Sequence, residues 1–346
     1  MTKGEITMQE TVYLGGYTRS NGKGIYRAVL DTTKQQLSTP TPLITTVSGP
    51  TYLAVNGDKM YAVAAGDGTG GVVAIDLAGT PHVINSVLLP GTSPAYVAVD
   101  AQRRLVYAAN YHMGRIDVFV IRDDGGIALA SSNQCTGSGP RPEQEASHVH
   151  YTNLTPDGRL VVCDLGADAV TTYDVDAAGQ IRPVATFATA PGFGPRHITF
   201  HPTLPVAYLL GELASELQVL DYDAAAGTFA ARERLSTLPP DWHGQNGAAA
   251  VRISADGRFL YTSNRGHNSI TVWAIDAGGD VTPVQHITTA GEFPRDINLD
   301  PSGQFVLAVN QNSDNATLYR RDAETGLLTI VQQDIVAPEA VNVTFA

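Results

Sequence analysis

The chain has 346 residues, a formal net charge of −12 at pH 7 and a pI near 5.1. So acidic a chain is not expected to bind nucleic acid or an anionic membrane surface, because both attract basic proteins. The chain has only two cysteines, Cys135 and Cys163, which are too few for a disulfide framework. Its first residues, MTKGEITMQE, lack the apolar segment of a signal peptide, and no apolar run is long enough to span a membrane. These features predict a cytoplasmic protein.

Short β-branched and aromatic runs begin at TVYLGGYT (11–18) and continue to the end of the chain, separated by Gly, Asp, Asn and Pro clusters. This pattern predicts an all-β protein, with residues 1–10 as a flexible N-terminal segment. The stretch SPAYVAVDAQRRLVYAANYHMGRIDVFVI (93–121) has related copies that start at Gly194, Gly247 and Phe293, and weaker ones at Gly49 and His148. An internal repeat therefore organises the chain.

Each repeat is predicted to form four strands, which in the copy quoted above are Tyr96–Val99, Leu105–Asn110, Ile116–Ile121 and Ile127–Ser131. The tetrapeptides PDGR, ADGR and PSGQ are hairpin turns between the first and second strands of their copies. Four strands at intervals of roughly 44 to 55 residues are typical of a β-propeller. The residues that precede the seven first strands are Pro50, Pro94, Val149, Pro195, Ala248, Pro294 and Pro338.

The two ends of the chain predict how the ring closes. The seventh copy stops after its first strand, EAVNVTFA (339–346), whereas the chain begins with a second strand. We therefore expect one seven-bladed propeller domain over residues 1–346, in which the C-terminal strand completes the N-terminal blade.

Two rings of residues are predicted to face one mouth of the central channel, because the start of each first strand lies beside the end of the second. The residues after the seven anchors are Thr51, Ala95, His150, Arg196, Ala249, Arg295 and Glu339. Those one residue beyond the second strands are Tyr17, Ala65, Tyr111, Gly166, Glu212, Arg265 and Gln311.

At several positions of these rings, a charged or polar residue stands where other blades have a small one. These positions fall in consecutive blades. Because several blades have Ala, Gly or Thr there, the fold itself does not require charge. The departures that define the candidate site are His150, Arg196, Glu212, Arg265, Arg295 and Gln311. The alternative is a structural belt of ion pairs around a water-filled channel.

The histidines raise the question of a metal ion. His148 and His150 lie two apart on a strand, and His197 and His201 follow in the next repeat. Without a carboxylate at a fixed spacing this is a weak metal pattern, so neither a metal nor a cofactor is expected. His197 and His201 also fit packing and turn roles.

The motifs GPRHITFHP, GEL, TPDGRLVVCDLGAD, RISADGRFLYTSNRGHNSITV and FPRDINLDPSGQFVLAVNQNSDN resemble the lactonase family of seven-bladed propellers. That family includes the bacterial propeller-type 6-phosphogluconolactonase and the fungal carboxy-muconate lactonizing enzyme. The resemblance implies a catalytic set of His150, Arg196, Glu212 and Arg265. Beside this set, we consider as substrate-binding candidates Arg295, Gln311, Tyr111 and His197.

Two positions beside the site depart from the family pattern. Gly211 stands where related sequences commonly have Asn, and Tyr151 stands where Ser often follows the second histidine. Both departures concern the choice of substrate more than the fold.

The resemblance implies hydrolysis of a small anionic sugar lactone, with 6-phosphogluconolactone of the pentose phosphate pathway as the first expectation. Either Glu212 or His150 would be the base, Arg196 or Arg265 would stabilise the oxyanion, and Arg295 would help to hold a phosphate. The alternatives are a lactonizing or lactone-opening enzyme for a carboxylated, muconate-like compound, and a non-catalytic binding propeller. The insert 236–249 is either a lid or a surface loop.

Overall fold

The computed structural model describes residues 9–346, in which seven antiparallel sheets form the blades of a ring. Strand β29 (Ala340–Phe345) pairs with β1 (Gln9–Gly16), and blade 1 is completed by β2 (Ile25–Asp31), β3 (Gln36–Leu37) and β4 (Thr41–Ile44). The inner strands of successive blades contact one another all the way around the ring. The predicted seven-bladed propeller is confirmed.

The other six blades each have four strands, named here from the channel outward. Blade 2 contains β5 (Leu53–Asn56), β6 (Lys59–Gly66), β7 (Thr69–Asp76) and β8 (His82–Pro90). Blade 3 contains β9 (Tyr96–Asp100), β10 (Leu105–Asn110), β11 (Arg115–Ile121) and β12 (Ile127–Gln134). Blade 4 contains β13 (Val149–Leu154), β14 (Leu160–Asp164), β15 (Ala169–Val175) and β16 (Ile181–Ala188).

Blade 5 contains β17 (Pro195–Phe200), β18 (Val206–Gly211), β19 (Glu216–Asp223) and β20 (Thr228–Ser236). Blade 6 contains β21 (Gly247–Ile253), β22 (Phe259–Arg265), β23 (Ser269–Ile275) and β24 (Val281–Thr288). Blade 7 contains β25 (Pro294–Leu299), β26 (Phe305–Asn310), β27 (Asn315–Arg321) and β28 (Leu328–Val336). One 3-10 helix, Pro142–Gln144, precedes β13.

Burial follows the position of a strand within its blade. All residues of the second strands β10, β18 and β26 are buried, because blades pack against both of their faces. The outermost strand β20 has no neighbour beyond it and is buried nowhere along its length. Among the described residues, no helix is long and apolar enough to cross a membrane.

Buried tyrosines of the second strands in blades 2, 5 and 6 bond each of these blades to the next one. The hydroxyls of Tyr61, Tyr208 and Tyr261 donate hydrogen bonds to glycine carbonyls in the outer hairpin of the following blade, at 3.2, 2.9 and 2.9 Å. One of these glycines, Gly279, has a φ of 90°, which side-chain-bearing residues rarely adopt. The blades are therefore joined by directional contacts as well as by apolar packing.

The ring closes as predicted, through the pairing of the last strand with the first. Val12 and Leu14 lie opposite Phe345 and Val343. Of the segment 1–10 predicted to be flexible, residues 1–8 lie outside the described residues. The remaining two belong to β1, because Gln9 and Glu10 pair with Asp31 and Leu30 of β2.

Removal of residues 338–346 is expected to abolish the single cooperative thermal transition, because it takes the inner strand from blade 1 and opens the ring. Circular dichroism and calorimetric melting would measure the effect. The matched control removes only the exposed Ala346, which loses one backbone hydrogen bond to Thr11. An unchanged transition in the longer truncation would contradict closure by β29.

Candidate active site

The inner strands of blades 4, 5 and 7 each contain a bulge at the same position. The register of β13 shifts between Val149 and Tyr151, that of β17 between Pro195 and His197, and that of β25 between Pro294 and Asp296. A bulge leaves one residue unpaired and re-aims its side chain. The bulged residues are His150, Arg196 and Arg295, and all three line one cavity at the mouth of the channel.

Two positions of the predicted rings are corrected by the strand pairing. Pairing of β1 with β29 shifts register between Ala340 and Asn342, so Val341 occupies the bulge position in blade 1 and lines the cavity. Glu339, which the sequence alignment placed there, instead accepts hydrogen bonds from the N–H groups of Ser20 and Gly22. In blade 4 the residue directly after β14 is the buried Leu165, one residue before the predicted Gly166.

The cavity has a volume of about 270 Å³ and is chemically asymmetric. Blades 4 to 7 contribute His150, Arg196, Glu212, Arg265 and Arg295, while a second imidazole, that of His112, comes from blade 3. Blades 1 to 3 contribute small or aromatic side chains, together with one further guanidinium, and these include Val341, Thr51, Ala95, Tyr17, Tyr111 and Arg19. With four guanidinium groups and one carboxylate in its lining, the cavity has an excess of three positive charges inside an acidic protein.

Glu212 forms the centre of the charged half. Its Oε2 lies 2.9 Å from Arg196 Nε and its Oε1 lies 2.9 Å from Arg265 Nη2. Arg196 also donates to the carbonyl of Ala249, and Arg265 donates to the carbonyls of Gly247 and Ala248, both at 3.1 Å. Both guanidinium groups are therefore held by backbone as well as by the shared carboxylate.

Burial and charge move the pKa values of this cluster in opposite directions. Burial opposes ionisation of Glu212, but Arg265 and Arg196 outweigh it and lower the pKa of this carboxyl to about 2. Burial, with the charge of Arg265, lowers the pKa of Arg196 to about 9. At neutral pH the cluster thus contains one carboxylate between two guanidinium cations.

His150 is a buried imidazole without a counter-ion. Burial, and then the charge of Arg196, hold its pKa well below the ordinary range. Its Nδ1 has no hydrogen-bond partner among the described residues, and its ring packs edge-on against Tyr111 and His197 at centroid distances of 5.7 and 5.2 Å. The imidazole is therefore neutral at pH 7.

The remaining predicted substrate-binding residues are placed differently. Tyr111 lines the cavity, with its ring stacked on His148 at 4.4 Å. Gln311 lies behind Arg295, and its Oε1 is 3.5 Å from the Arg295 Nη1. His197 lies one layer below the cavity lining, where its ring is 3.2 Å from Arg196 Nη1 and 5.3 Å from the Tyr151 ring.

An aromatic layer forms the floor of the cavity. The rings of Tyr52, Tyr96 and Tyr151 follow one another at centroid distances of 4.1 and 4.5 Å. Beside them the half-buried Arg252 donates from Nη2 to Asp296 Oδ1 at 2.8 Å and to the Tyr52 hydroxyl at 3.1 Å. A separate cavity of about 280 Å³ lies on the other side of this layer.

Gly211 explains the sequence departure beside Glu212. In blades 3, 6 and 7 the equivalent residue is Asn110, Asn264 or Asn310, whose side-chain amide donates to a backbone carbonyl of the preceding loop. In blade 5 the buried Phe193 fills that space, and a Cβ on Gly211 would lie only 2.6 Å from its ring. An aromatic contact therefore replaces the hydrogen bond behind the catalytic candidates.

Of the insert at 236–249, residues 237–246 form the loop between β20 and β21, and the remaining residues belong to these two strands. None of its residues lines the cavity. Its Trp242 packs edge-on against His267, with the ring centroids 4.8 Å apart. Within residues 9–346, no group of three or more His, Cys, Asp or Glu side chains is arranged to hold a metal ion.

Sequence reasoning missed Arg19. It lies outside both predicted rings, in the loop after β1, and reaches the cavity because its guanidinium stacks on Tyr17 at 3.9 Å from the ring centroid. In the sequence Arg19 follows Tyr17 by two residues, but this spacing alone does not indicate where the Arg19 side chain points.

A propeller whose channel mouth holds a closed, cationic cavity with a neutral imidazole is suited to act on a small anionic molecule. The family model for "Lactonase, 7-bladed beta-propeller" matches residues 11–345. The chain belongs to this family, which makes it a lactone-hydrolysing enzyme by class.

Individual relatives agree with the family. The chain is 38% identical to the 6-phosphogluconolactonase of Bacillus subtilis over 341 residues, which cover 96% of this chain and 97% of that protein. A crystal structure of a Lactobacillus plantarum protein matches with a TM-score of 0.96 and 48% identity, covering 98% of this chain and all of that one. The periplasmic gluconolactonase of Pseudomonas aeruginosa matches with a TM-score of 0.91 and 29% identity, covering 98% and 99% of the two chains.

Replacement of Glu212 by Gln is expected to lower the free energy of unfolding at pH 7 by up to about 3 kcal/mol, because it leaves two buried guanidinium groups without a counter-charge. The folded pKa of about 2 lies below the ordinary 4.5, so the carboxylate stabilises the fold above pH 4.5 and less as the pH falls towards 2. In denaturant titrations, the difference in the free energy of unfolding between Glu212→Gln and the wild type should therefore shrink as the pH falls from 4.5 towards 2.

The matched control is Glu216→Gln, which removes an exposed ion pair with Arg234 at 3.1 Å, where the side chains are 31% and 41% exposed. Its effect should stay below about 1 kcal/mol. Equal losses in the two variants would contradict the central role of Glu212 in the cluster.

Proposed function

We propose that the chain hydrolyses 6-phosphogluconolactone to 6-phosphogluconate, in the cytoplasm and as a step of the pentose phosphate pathway. The observation that carries the proposal is the placement of a neutral imidazole and two ion-paired guanidinium groups around one cationic cavity. The similarity to the 6-phosphogluconolactonase of Bacillus subtilis supports the choice of lactone. The absence of a disulfide between Cys135 and Cys163 is compatible with the location.

His150 is the proposed base. Since its imidazole is neutral at pH 7, it can accept a proton from the water that attacks the lactone carbonyl carbon. Glu212 is less suited to this task, because a carboxyl with a pKa of about 2 between two guanidinium groups holds its charge. These surroundings support His150 over Glu212, the two alternatives that the sequence left open.

Arg196 and Arg265 are the proposed donors to the tetrahedral oxyanion. Both are held by backbone carbonyls and by Glu212, so they need no reorganisation when negative charge develops on the former carbonyl oxygen. Glu212 acts as a positioning residue for the two guanidinium groups.

Collapse of the intermediate breaks the bond between the carbonyl carbon and the ring oxygen. The ring oxygen takes the proton that His150 received from water, which leaves a hydroxyl group on the opened chain and a carboxylic acid that ionises. The low pKa of His150 favours this second transfer, because its protonated form is a strong acid. Atoms and charge balance with one water consumed and one proton released.

The test is an assay with freshly prepared 6-phosphogluconolactone and, separately, unphosphorylated gluconolactone, each corrected for spontaneous hydrolysis. We expect the protein to hydrolyse both lactones faster than they hydrolyse spontaneously, with the higher kcat/KM for the phosphorylated lactone. Hydrolysis of neither lactone above the spontaneous rate would overturn the proposal, and activity on the unphosphorylated lactone alone would overturn its choice of substrate.

Replacement of Arg196 by Ala is expected to lower kcat/KM about a hundredfold, the usual effect of losing one preorganised donor at an acyl-transfer site. The fold should persist, because Ala95 and Ala249 occupy the equivalent position in two other blades and Glu212 keeps its partner Arg265. Rates per folded molecule and melting temperatures would be measured together.

The control is Arg115→Ala, which removes an arginine of low exposure that pairs with Asp117 at 2.9 Å outside the cavity. It should lower the melting temperature and keep the turnover of each folded molecule. If Arg196→Ala behaves in that same way, the arginine belongs to a structural belt and the catalytic role is wrong.

A further inference from the structure

Two of the four guanidinium groups in the cavity have no carboxylate partner. Arg196 and Arg265 share Glu212, whereas no ion pair within 4 Å joins Arg19 or Arg295 to any carboxylate of residues 9–346. Arg295 has a single weak contact, with the side-chain carbonyl of Gln311 at 3.5 Å. These two cations are therefore the ones that remain available to an anionic ligand.

The ring places the two unpaired arginines on neighbouring blades. Arg295 is the bulged residue of β25 in blade 7, and Arg19 lies in the loop that follows β1 in blade 1. Between them the bulge position of blade 1 is Val341, whose apolar side chain offers no competing charge. Both arginines line the same cavity: Arg295 is on the blade next to that of Arg265, and Arg19 is one blade further from the Glu212 cluster.

The loop that carries Arg19 is fixed from two directions. The Glu339 carboxylate accepts hydrogen bonds from the N–H groups of Ser20 and Gly22 at 2.8 and 2.9 Å, and Asn21 donates to Asp314 Oδ2 at 3.0 Å. The guanidinium itself stacks on Tyr17. Stacking uses the face of the group and leaves the N–H groups at its edge for a ligand.

We propose that Arg19 and Arg295 form a phosphate subsite, which binds the phosphomonoester on the exocyclic carbon of a sugar lactone, across the ring oxygen from its carbonyl carbon. This inference rests on the proposed lactone hydrolysis at the same cavity and assigns the phosphate to blades 7 and 1. Planar guanidinium groups match phosphate oxygens in a bidentate manner, and an exposed but preoriented arginine at the mouth can meet the anion as it enters. The Glu212 cluster is then left to the reacting carbonyl.

The first experiment compares Arg19→Gln and Arg295→Gln with wild type on the phosphorylated and the unphosphorylated lactone. We expect the ratio of the two kcat/KM values to fall about tenfold or more in each variant, as the loss of a charge-assisted hydrogen bond requires. Arg19→Lys should recover part of the ratio, since it keeps the charge and loses the planar fork. Arg182→Gln, on the outer strand β16 with its side chain 80% exposed, should leave the ratio unchanged.

The second experiment needs no turnover. Isothermal titration should show that wild type binds 6-phosphogluconate more tightly than gluconate, and that Arg19→Gln and Arg295→Gln remove most of this difference. An unchanged ratio and an unchanged binding difference in Arg19→Gln would overturn the subsite, even where wild type hydrolyses both lactones as proposed. A different result would separate the two proposals. If the wild type hydrolyses neither lactone but binds 6-phosphogluconate more tightly than gluconate, and the substitutions remove this preference, the subsite is retained and the proposed reaction is overturned.

Discussion

Antiparallel pairing of β29 with β1 joins the two ends of the chain inside one blade, and the candidate site depends on it directly. The same pairing sets Val341 at the cavity wall, and Glu339, two residues earlier, bonds to the loop that carries Arg19. Ring closure also gives every blade a neighbour on both of its faces, so that no blade face is left uncovered. The strand that completes the fold therefore also shapes the binding side of the cavity.

The charged half of the cavity is stable because one carboxylate serves two cations. Three guanidinium groups near one imidazole would be costly to bury without a counter-charge, and Glu212 meets this need with contacts of 2.9 Å to both Arg196 and Arg265. The cluster still has a net positive charge, which keeps His150 neutral and leaves room for an anion. The local charge of the cavity is thus opposite in sign to the overall charge of −12.

The repeat made the fold and most of the site predictable from the sequence, since seven aligned copies reveal which positions tolerate alanine. His150, Arg196, Glu212, Arg265 and Arg295 were found in this way and do meet in one cavity. Bulges set the limit of the method, because an unpaired residue shifts the register without a signature of its own, as at Val341 and Leu165. Arg19 was missed because its direction depends on a loop held by a side chain more than 300 residues away in sequence.

The aromatic floor gives the cavity a property that a generic propeller channel lacks. Tyr52, Tyr96 and Tyr151 form a contiguous aromatic layer, and Tyr52 lines both this cavity and the second one beyond the layer. His197 belongs to this layer and contacts the Arg196 guanidinium from below, at a distance of 3.2 Å. Because burial, then the charges of Arg196 and His150, keep the pKa of His197 well below its ordinary range, it supports Arg196 without adding a further cation. A neutral imidazole thereby packs against the Arg196 guanidinium from within the aromatic layer, and the positive charge of the cluster stays on the arginines that line the cavity.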